Sequence, residues 1–174
     1  MIAVRDRPLI GISSCLLGER VRYDGGDKRD PWLVGVLGPE VEWVPVCPEV
    51  EAGFGTPREP MDLVRDPQHG VVLVTSRVRL DLTAALRTFA ERRVEELAAL
   101  ELDGYVLKAG SPSCAISRPI DTDSDRTPGL FAEALMGRLP NLPVADEHQL
   151  ADAEQRRRFV DRVFARYRAA KVAG

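Results

Sequence analysis

The sequence has few of the residues that stabilise small secreted proteins. It contains three cysteines and two histidines among 174 residues. An odd number of cysteines cannot pair completely within one chain, and a domain of this length does not need disulfides to fold. The low count therefore excludes a disulfide-stabilised scaffold and makes the chemistry of free thiols the main question.

Other absences exclude further classes of protein. No apolar run approaches the roughly 20 residues that span a bilayer, and the N-terminal segment lacks the layout of a signal peptide. The formal net charge is −3, so no overall positive field attracts nucleic acid. We find neither a Walker motif nor a dinucleotide-binding fingerprint. We therefore predict a cytoplasmic protein without a membrane or nucleic-acid partner.

Apolar runs and helical patterns alternate along the chain. Short runs rich in Val, Ile and Leu predict buried strands at residues 8–14, 41–46, 71–75, 104–108 and 142–145. Apolar residues at helical spacing predict helices at residues 82–102, 129–139 and 150–171. This alternation is typical of a parallel sheet with helices on both faces. We predict one α/β domain over residues 1–174, an open, three-layer, Rossmann-like fold that ends in the C-terminal helix 150–171.

The three cysteines occupy similar positions relative to the predicted strands. Cys15 and Cys47 directly follow strands, and Cys114 follows a third strand through a short loop. Long irregular segments begin near each of them, and loops of such length are usually functional. Because the carboxyl ends of parallel strands share one edge of the sheet, we expect the three thiols to meet there.

The residues alone leave several kinds of thiol site open. The spacings of 32 and 67 residues match no C-x-x-C metal motif, and a single free cysteine is often a small buried apolar side chain. A Cys₃His zinc site would need His69 or His148, and neither follows a predicted strand. The hypotheses are a catalytic metal centre, a structural metal in a binding or interaction module without catalysis, and an enzyme with a metal-free cysteine nucleophile.

Three long segments of the chain resemble the 2-thiouracil desulfurase family, formerly a domain of unknown function. They are SSCLLGERVRYDGG, WVPVCPEVEAGFGTPREPMDLV and LKAGSPSC. The resemblance covers roughly residues 8–150. The later segment GLFAEALMGRLPNLPVADEHQL resembles the subgroup in which this domain precedes a second, C-terminal domain.

The resemblance implies a cofactor, a reaction and catalytic residues. It implies a [4Fe–4S] cluster held by Cys15, Cys47 and Cys114, with one iron not ligated by the protein. The implied reaction removes sulfur from a thiocarbonyl compound such as the thiolated nucleobase 2-thiouracil, giving the oxo product and hydrosulfide without net redox chemistry. It also implicates Glu49 of the C-P-E motif and Ser111 of the S-P-S-C motif in catalysis.

Two more residues are predicted to bind substrate. Asp24 precedes two glycines that allow the backbone to approach a ligand, so we expect it to position the substrate or its loop. Ser113 belongs to the same motif as Ser111. One position departs from the family pattern, because Ala115 stands where many relatives have glycine. Alanine would constrain this loop if the backbone there required a positive φ.

Overall fold

The computed structural model describes residues 5–173, which form eight strands and four α-helices. The strands are β1 (Leu9–Ser13), β2 (Glu42–Val46), β3 (Met61–Asp66), β4 (Gly70–Thr75), β5 (Gly104–Leu107), β6 (Arg118–Pro119), β7 (Arg126–Thr127) and β8 (Val144–Asp146). The helices are α1 (Pro48–Glu51), α2 (Thr83–Ala99), α3 (Leu130–Arg138) and α4 (Ala153–Ala173). Short 3₁₀ turns cover Ser14–Leu17, Gly38–Glu40 and Gln149–Ala151, and a π-helical turn covers Leu33–Leu37.

Four of the strands form a parallel sheet in the order β2–β1–β5–β8. Strand β1 lies inside the sheet, where Gly11 is in register with Val44 of β2 and with Tyr105 of β5. Strand β8 extends the sheet on the far side of β5. The predicted open parallel sheet is therefore confirmed, and its carboxyl edge collects the ends of β1, β2 and β5.

Helices cover the two faces of this sheet and complete three layers. Tyr105 and Leu107 of β5 pack with helices α2 and α3 in one apolar cluster. Ile10 and Ile12 of β1 pack with Val106 and with helix α4 in a second cluster. Because successive side chains of a strand point to opposite faces, β1 and β5 contribute to both clusters.

Gly11 allows the ring of Tyr105 to lie directly against β1. A β-carbon at residue 11 would be 2.2 Å from two atoms of that ring. Tyr105 is fully buried, so its ring has no free space into which it can move. The close approach therefore requires glycine at this point of the strand.

The prediction that residues 71–75 join the parallel sheet is wrong. Strand β4 instead pairs antiparallel with β3, and together they form a separate two-stranded sheet. The connection between them is short, and Asp66 Oδ1 accepts the backbone N–H groups of Gln68 and His69 within it. Such a tight turn joins only antiparallel strands, because parallel strands need a long crossover. Strand β3 lies in the long segment after Cys47 that the sequence predicts to be irregular.

The helices begin and end a few residues from their predicted limits. Helix α2 ends at Ala99, and Glu101 then takes a positive φ of 55°. The C-terminal helix starts at Ala153, because Asp152 Oδ1 caps the N–H groups of Glu154 and Gln155. Among residues 5–173, no helix is both long enough and apolar enough to cross a membrane.

Candidate metal centre and active site

A cavity of about 350 Å³ opens at the carboxyl edge of the parallel sheet. Cys15 lies in the 3₁₀ turn after β1, Cys47 lies between β2 and α1, and Cys114 lies in the loop after β5. All three side chains line this cavity. The structure thus brings together the three thiols that the sequence places at strand ends.

Burial makes these thiols hard to ionise as free groups. The three cysteines are free, and Cys15 and Cys114 are buried. Burial raises the pKa of the Cys15 thiol to about 11, although Lys108 and Arg22 oppose the shift. Burial also raises the pKa of Cys47 and that of Cys114. A metal-free nucleophile needs a thiolate near neutral pH, so this environment argues against the third hypothesis.

The donor set suits an iron–sulfur cluster. Thiolates are the soft ligands that hold such clusters, and a bound metal displaces the thiol proton in spite of the raised pKa. Three thiols line one cavity, and two cations, Lys108 and Arg22, act on Cys15. Within residues 5–173, no three His, Cys, Asp or Glu side chains are close enough to share a single metal ion.

Neither histidine joins the thiols at this cavity. The His69 ring lies in the turn between β3 and β4, where it contacts Asp66, and is 71% exposed. The His148 ring is 78% exposed beside Glu147. The cavity wall contains neither of them, so the arrangement gives no support to a Cys₃His zinc site.

Glu49 lines the same cavity and is held through both carboxylate oxygens. It belongs to the short helix α1, directly after Cys47, and is 8% exposed. Its Oε1 accepts a hydrogen bond from Ser113 Oγ at 2.7 Å. Its Oε2 accepts from Arg58 Nε at 2.8 Å and from Arg58 Nη2 in a shorter contact. The carboxylate is therefore fixed beside the thiols.

Ser111 combines a place on the cavity wall with a structural contact. Its Oγ accepts the backbone N–H of Ser113 at 3.1 Å and that of Cys114 at 3.0 Å. These two bonds fold the S-P-S-C segment into a compact turn that presents Cys114. A serine hydroxyl that accepts twice still has its own hydrogen to donate.

Ser113 and Asp24, which the sequence predicts to bind substrate, are not among the residues that line the cavity. Ser113 is fully buried and stands behind the cavity wall, with its hydroxyl directed to Glu49. The Asp24 side chain is 51% exposed outside the lining, and its Oδ1 accepts the Gly26 N–H at 2.9 Å. The placement of Asp24 matches the expected role in loop positioning better than substrate contact.

Ala115 is accommodated without strain. Outside glycine, positive φ values among residues 5–173 occur at Arg79 and Glu101, so the backbone at Ala115 does not need glycine. Ala115 is fully buried, its N–H donates to the Ser111 carbonyl, and its own carbonyl accepts the Gly129 N–H. The departure from the family pattern therefore leaves the Cys114 loop intact.

Sequence reasoning missed several basic side chains of the cavity wall. These are Arg22, Lys28, Arg58, Lys108 and Arg118. Lys108 directly follows β5, and its ammonium donates to Glu147 and to the Ala109 carbonyl. Its place after a buried strand is a signal that could have identified it. Arg58 gives no such signal, because an arginine between Pro57 and Glu59 resembles any solvated loop residue.

Comparisons with known proteins place this chain in a family. A model of the 2-thiouracil desulfurase family matches residues 10–147. The uncharacterized protein YbbK of Bacillus subtilis (strain 168) is 30% identical over 110 residues, which cover 61% of this chain and 72% of that protein. A solved structure described as a [4Fe-4S]-dependent thiouracil desulfidase, TudS, is 34% identical, with a TM-score of 0.65, and the match covers 83% of this chain and 94% of that one. This chain therefore belongs to the 2-thiouracil desulfurase family.

Proposed function

We propose that this protein is an iron–sulfur-dependent desulfurase that acts on a small thiocarbonyl compound, with 2-thiouracil as the model substrate. One observation carries the proposal: Cys15, Cys47 and Cys114 line the same cavity as the buried carboxylate of Glu49. The similarity to a solved [4Fe-4S]-dependent thiouracil desulfidase supports it. The reaction is a hydrolysis, in which C=S and water give C=O and hydrosulfide with no net electron transfer.

In this proposal the three cysteines hold a [4Fe–4S] cluster and leave one iron without a protein ligand. When bound, the cluster supplies a soft Lewis acid for the thiocarbonyl sulfur. The protein contributes three thiolates on separate loops and the positive charges of Lys108 and Arg22 beside Cys15. Those charges stabilise anionic sulfur at this end of the cavity.

Glu49 acts as the general base in the proposed reaction. It accepts a proton from the water that attacks the thiocarbonyl carbon, and such catalysis contributes about 10²–10⁴-fold to a rate. Ser111 lies on the same wall, and its remaining O–H is free to donate to the water or to the substrate. The departing sulfur leaves as hydrosulfide, so electrons and protons balance without a reductant.

Anaerobic purification and single-turnover kinetics test this function. We expect brown protein that contains iron and sulfide and converts 2-thiouracil to uracil with release of hydrosulfide. Colourless protein with stoichiometric zinc would instead support a structural metal module. Colourless, active protein that is inactivated by alkylation of one cysteine would support a metal-free nucleophile. Cluster-loaded protein that releases no hydrosulfide would exclude 2-thiouracil as a substrate.

A further inference from the structure

Glu49 is anchored from two sides by side chains of different loops. Ser113 precedes Cys114 in the loop after β5, and Arg58 belongs to the loop between α1 and β3. Ser113 is fully buried and the Arg58 side chain is 8% exposed, so their bonds to Glu49 are shielded from water. Shielded, charge-assisted hydrogen bonds hold a carboxylate more firmly than exposed ones do.

Arg58 is itself fixed by two further contacts. Its Nη1 donates to the carbonyl of Val21 and to that of Gly55, both at 2.8 Å. The guanidinium is planar and carries its donors in a rigid fork, so these bonds and the two to Glu49 determine its orientation. Arg58 therefore connects the loop after β1 to the loop after α1. The positions of these two loops thus determine the orientation of the Glu49 carboxylate.

The two carboxylate oxygens of Glu49 differ in whether they can accept a further hydrogen bond. A carboxylate oxygen accepts about two hydrogen bonds. Two N–H groups of Arg58 fill Oε2, whereas among residues 5–173 Oε1 receives a hydrogen bond only from the Ser113 hydroxyl. The remaining acceptor position is on Oε1, and Glu49 faces the cavity that contains the thiols.

We infer that Ser113 and Arg58 are positioning residues that block Oε2 and present Oε1 of Glu49 to the reacting molecule. The inference rests on the proposed function, in which Glu49 accepts a proton. Ser113 lies outside the cavity lining, so it acts on the reaction only through Glu49. Arg58 lies on the wall as well, but its donors toward Oε2, Val21 and Gly55 are already engaged.

Ser113→Ala is the sharper test, because it removes one hydroxyl that does not touch the cavity. Small misplacements of a catalytic group cost about 10–100-fold in rate, so kcat for 2-thiouracil falls by that factor. KM and the iron and sulfide content per chain stay at wild-type values. Arg58→Lys keeps the charge but loses the fork, and gives a kcat loss of the same order. Ser124→Ala, at an exposed position, is the matched control and leaves kcat unchanged.

A double-mutant cycle separates positioning from general structural support. In a Glu49→Gln background, Ser113→Ala has no further effect on kcat, because the group that it positions has already lost its function. A crystal structure of Ser113→Ala provides a readout that is independent of activity, and shows the residue 49 carboxylate turned away from its wild-type direction. Wild-type kcat in Ser113→Ala, an equal loss in both backgrounds, or loss of iron in this variant would each overturn the inference. Failure of the cluster-loaded wild type to release hydrosulfide from 2-thiouracil would instead exclude that substrate, while the structural readout would still decide the orientation of Glu49.

Discussion

Gly129 packs directly against the backbone of Ser113. A β-carbon at residue 129 would lie 2.4 Å from the Ser113 carbonyl carbon and 2.8 Å from the Cys114 nitrogen. Helix α3 begins at the next residue, and the N–H groups of Phe131 and Ala132 both donate to the Ser113 carbonyl. The start of α3 therefore supports the loop that carries both Cys114 and the Ser113 hydroxyl.

This contact predicts that Gly129→Ala disrupts the thiol-lined cavity, although residue 129 does not line it. The atoms in the way belong to the backbone and cannot rotate aside, so the Cys114 loop must move. Overpacking of this kind costs about 1–3 kcal/mol, and we expect a lower Tm together with loss of iron. Gly137→Ala in the same helix is the matched control, because a β-carbon there meets nothing within 4 Å. A Gly129→Ala variant with wild-type Tm and iron content would contradict the prediction.

Replacing any one of the three cysteines by serine should abolish cluster retention and turnover together. Serine is a harder ligand that holds the iron of such a cluster less well than a thiolate does. Iron, sulfide and single-turnover activity are measured in the same anaerobic samples, and far-UV circular dichroism checks that each variant folds. Iron at the wild-type level in all three variants would remove Cys15, Cys47 and Cys114 from the ligand set.

Glu49→Gln should keep the cluster and lose most of the activity. Glutamine preserves the shape of the side chain but cannot accept the proton, so kcat falls by about 10²–10⁴-fold. Iron content remains at the wild-type level, because the carboxylate is not among the proposed ligands. Glu91→Gln on the exposed face of α2 is the control. Loss of iron would make Glu49 a structural or ligating residue, and near-normal turnover would place the base elsewhere.

Two substitutions at Asp24 distinguish loop positioning from substrate contact. The Asp24 carboxylate accepts the Gly26 N–H, and asparagine retains an oxygen that can do the same. We expect Asp24→Asn to keep the wild-type KM, and Asp24→Ala to raise it by about 2–10-fold, the range expected for loss of one hydrogen bond. Steady-state kinetics with 2-thiouracil provides the measurement. Equal damage from both substitutions would show that the negative charge itself is required.

Asp103 should make folding stability depend on pH. Its carboxyl is 1% exposed, accepts the Leu9 N–H at 2.8 Å and lies 3.4 Å from Arg5. Burial raises the pKa of Asp103, and the Leu9 N–H and Arg5 only partly offset the shift. Because the folded-state pKa is the higher one, this group's contribution to stability is fully present below the unfolded-state pKa and is lost as pH rises through the folded-state pKa.

Asp103→Asn removes that titration and keeps an oxygen for the Leu9 N–H. The difference in free energy of unfolding between variant and wild type should therefore shift in favour of the variant as pH rises from below the ordinary aspartate pKa of about 3.9 through the raised folded-state pKa of Asp103. Urea denaturation at several pH values measures this difference. A difference that does not change with pH would show that the pKa of Asp103 is the same in the folded and unfolded states.

Local patterns predict the scaffold well because buried parallel strands have a clear signature. Short runs rich in Val, Ile and Leu mark β1, β2 and β5, and the carboxyl edge that these strands share predicts that Cys15 and Cys47 lie close together. The same signature fails for residues 71–75, because it does not specify the strand's partner. That partner, Met61–Asp66, mixes charged and apolar residues and follows Pro60, which gives little indication of a strand.

The contacts between loops at the site could not be predicted from the sequence. Ser111 and Ser113 are both small and polar in one short motif, and only the folded turn decides that Ser111 reaches the cavity while Ser113 reaches Glu49. Arg58 is buried because carbonyls of Val21 and Gly55 meet at its guanidinium. Such a contact leaves no periodic pattern in the sequence, because its partners belong to loops that are far apart along the chain.

The supply of thiols from three adjacent strands has a consequence for the order of assembly. Cys15 and Cys114 are 99 residues apart, so an unfolded chain would have to close a long loop to bring them together. They share a cavity only after β1 has paired with β2 and β5. Any group that binds all three thiols therefore selects the folded chain, and stabilises it by mass action. Small zinc domains fold around their metal, whereas here we expect the sheet to form before the three thiols can hold a cofactor together.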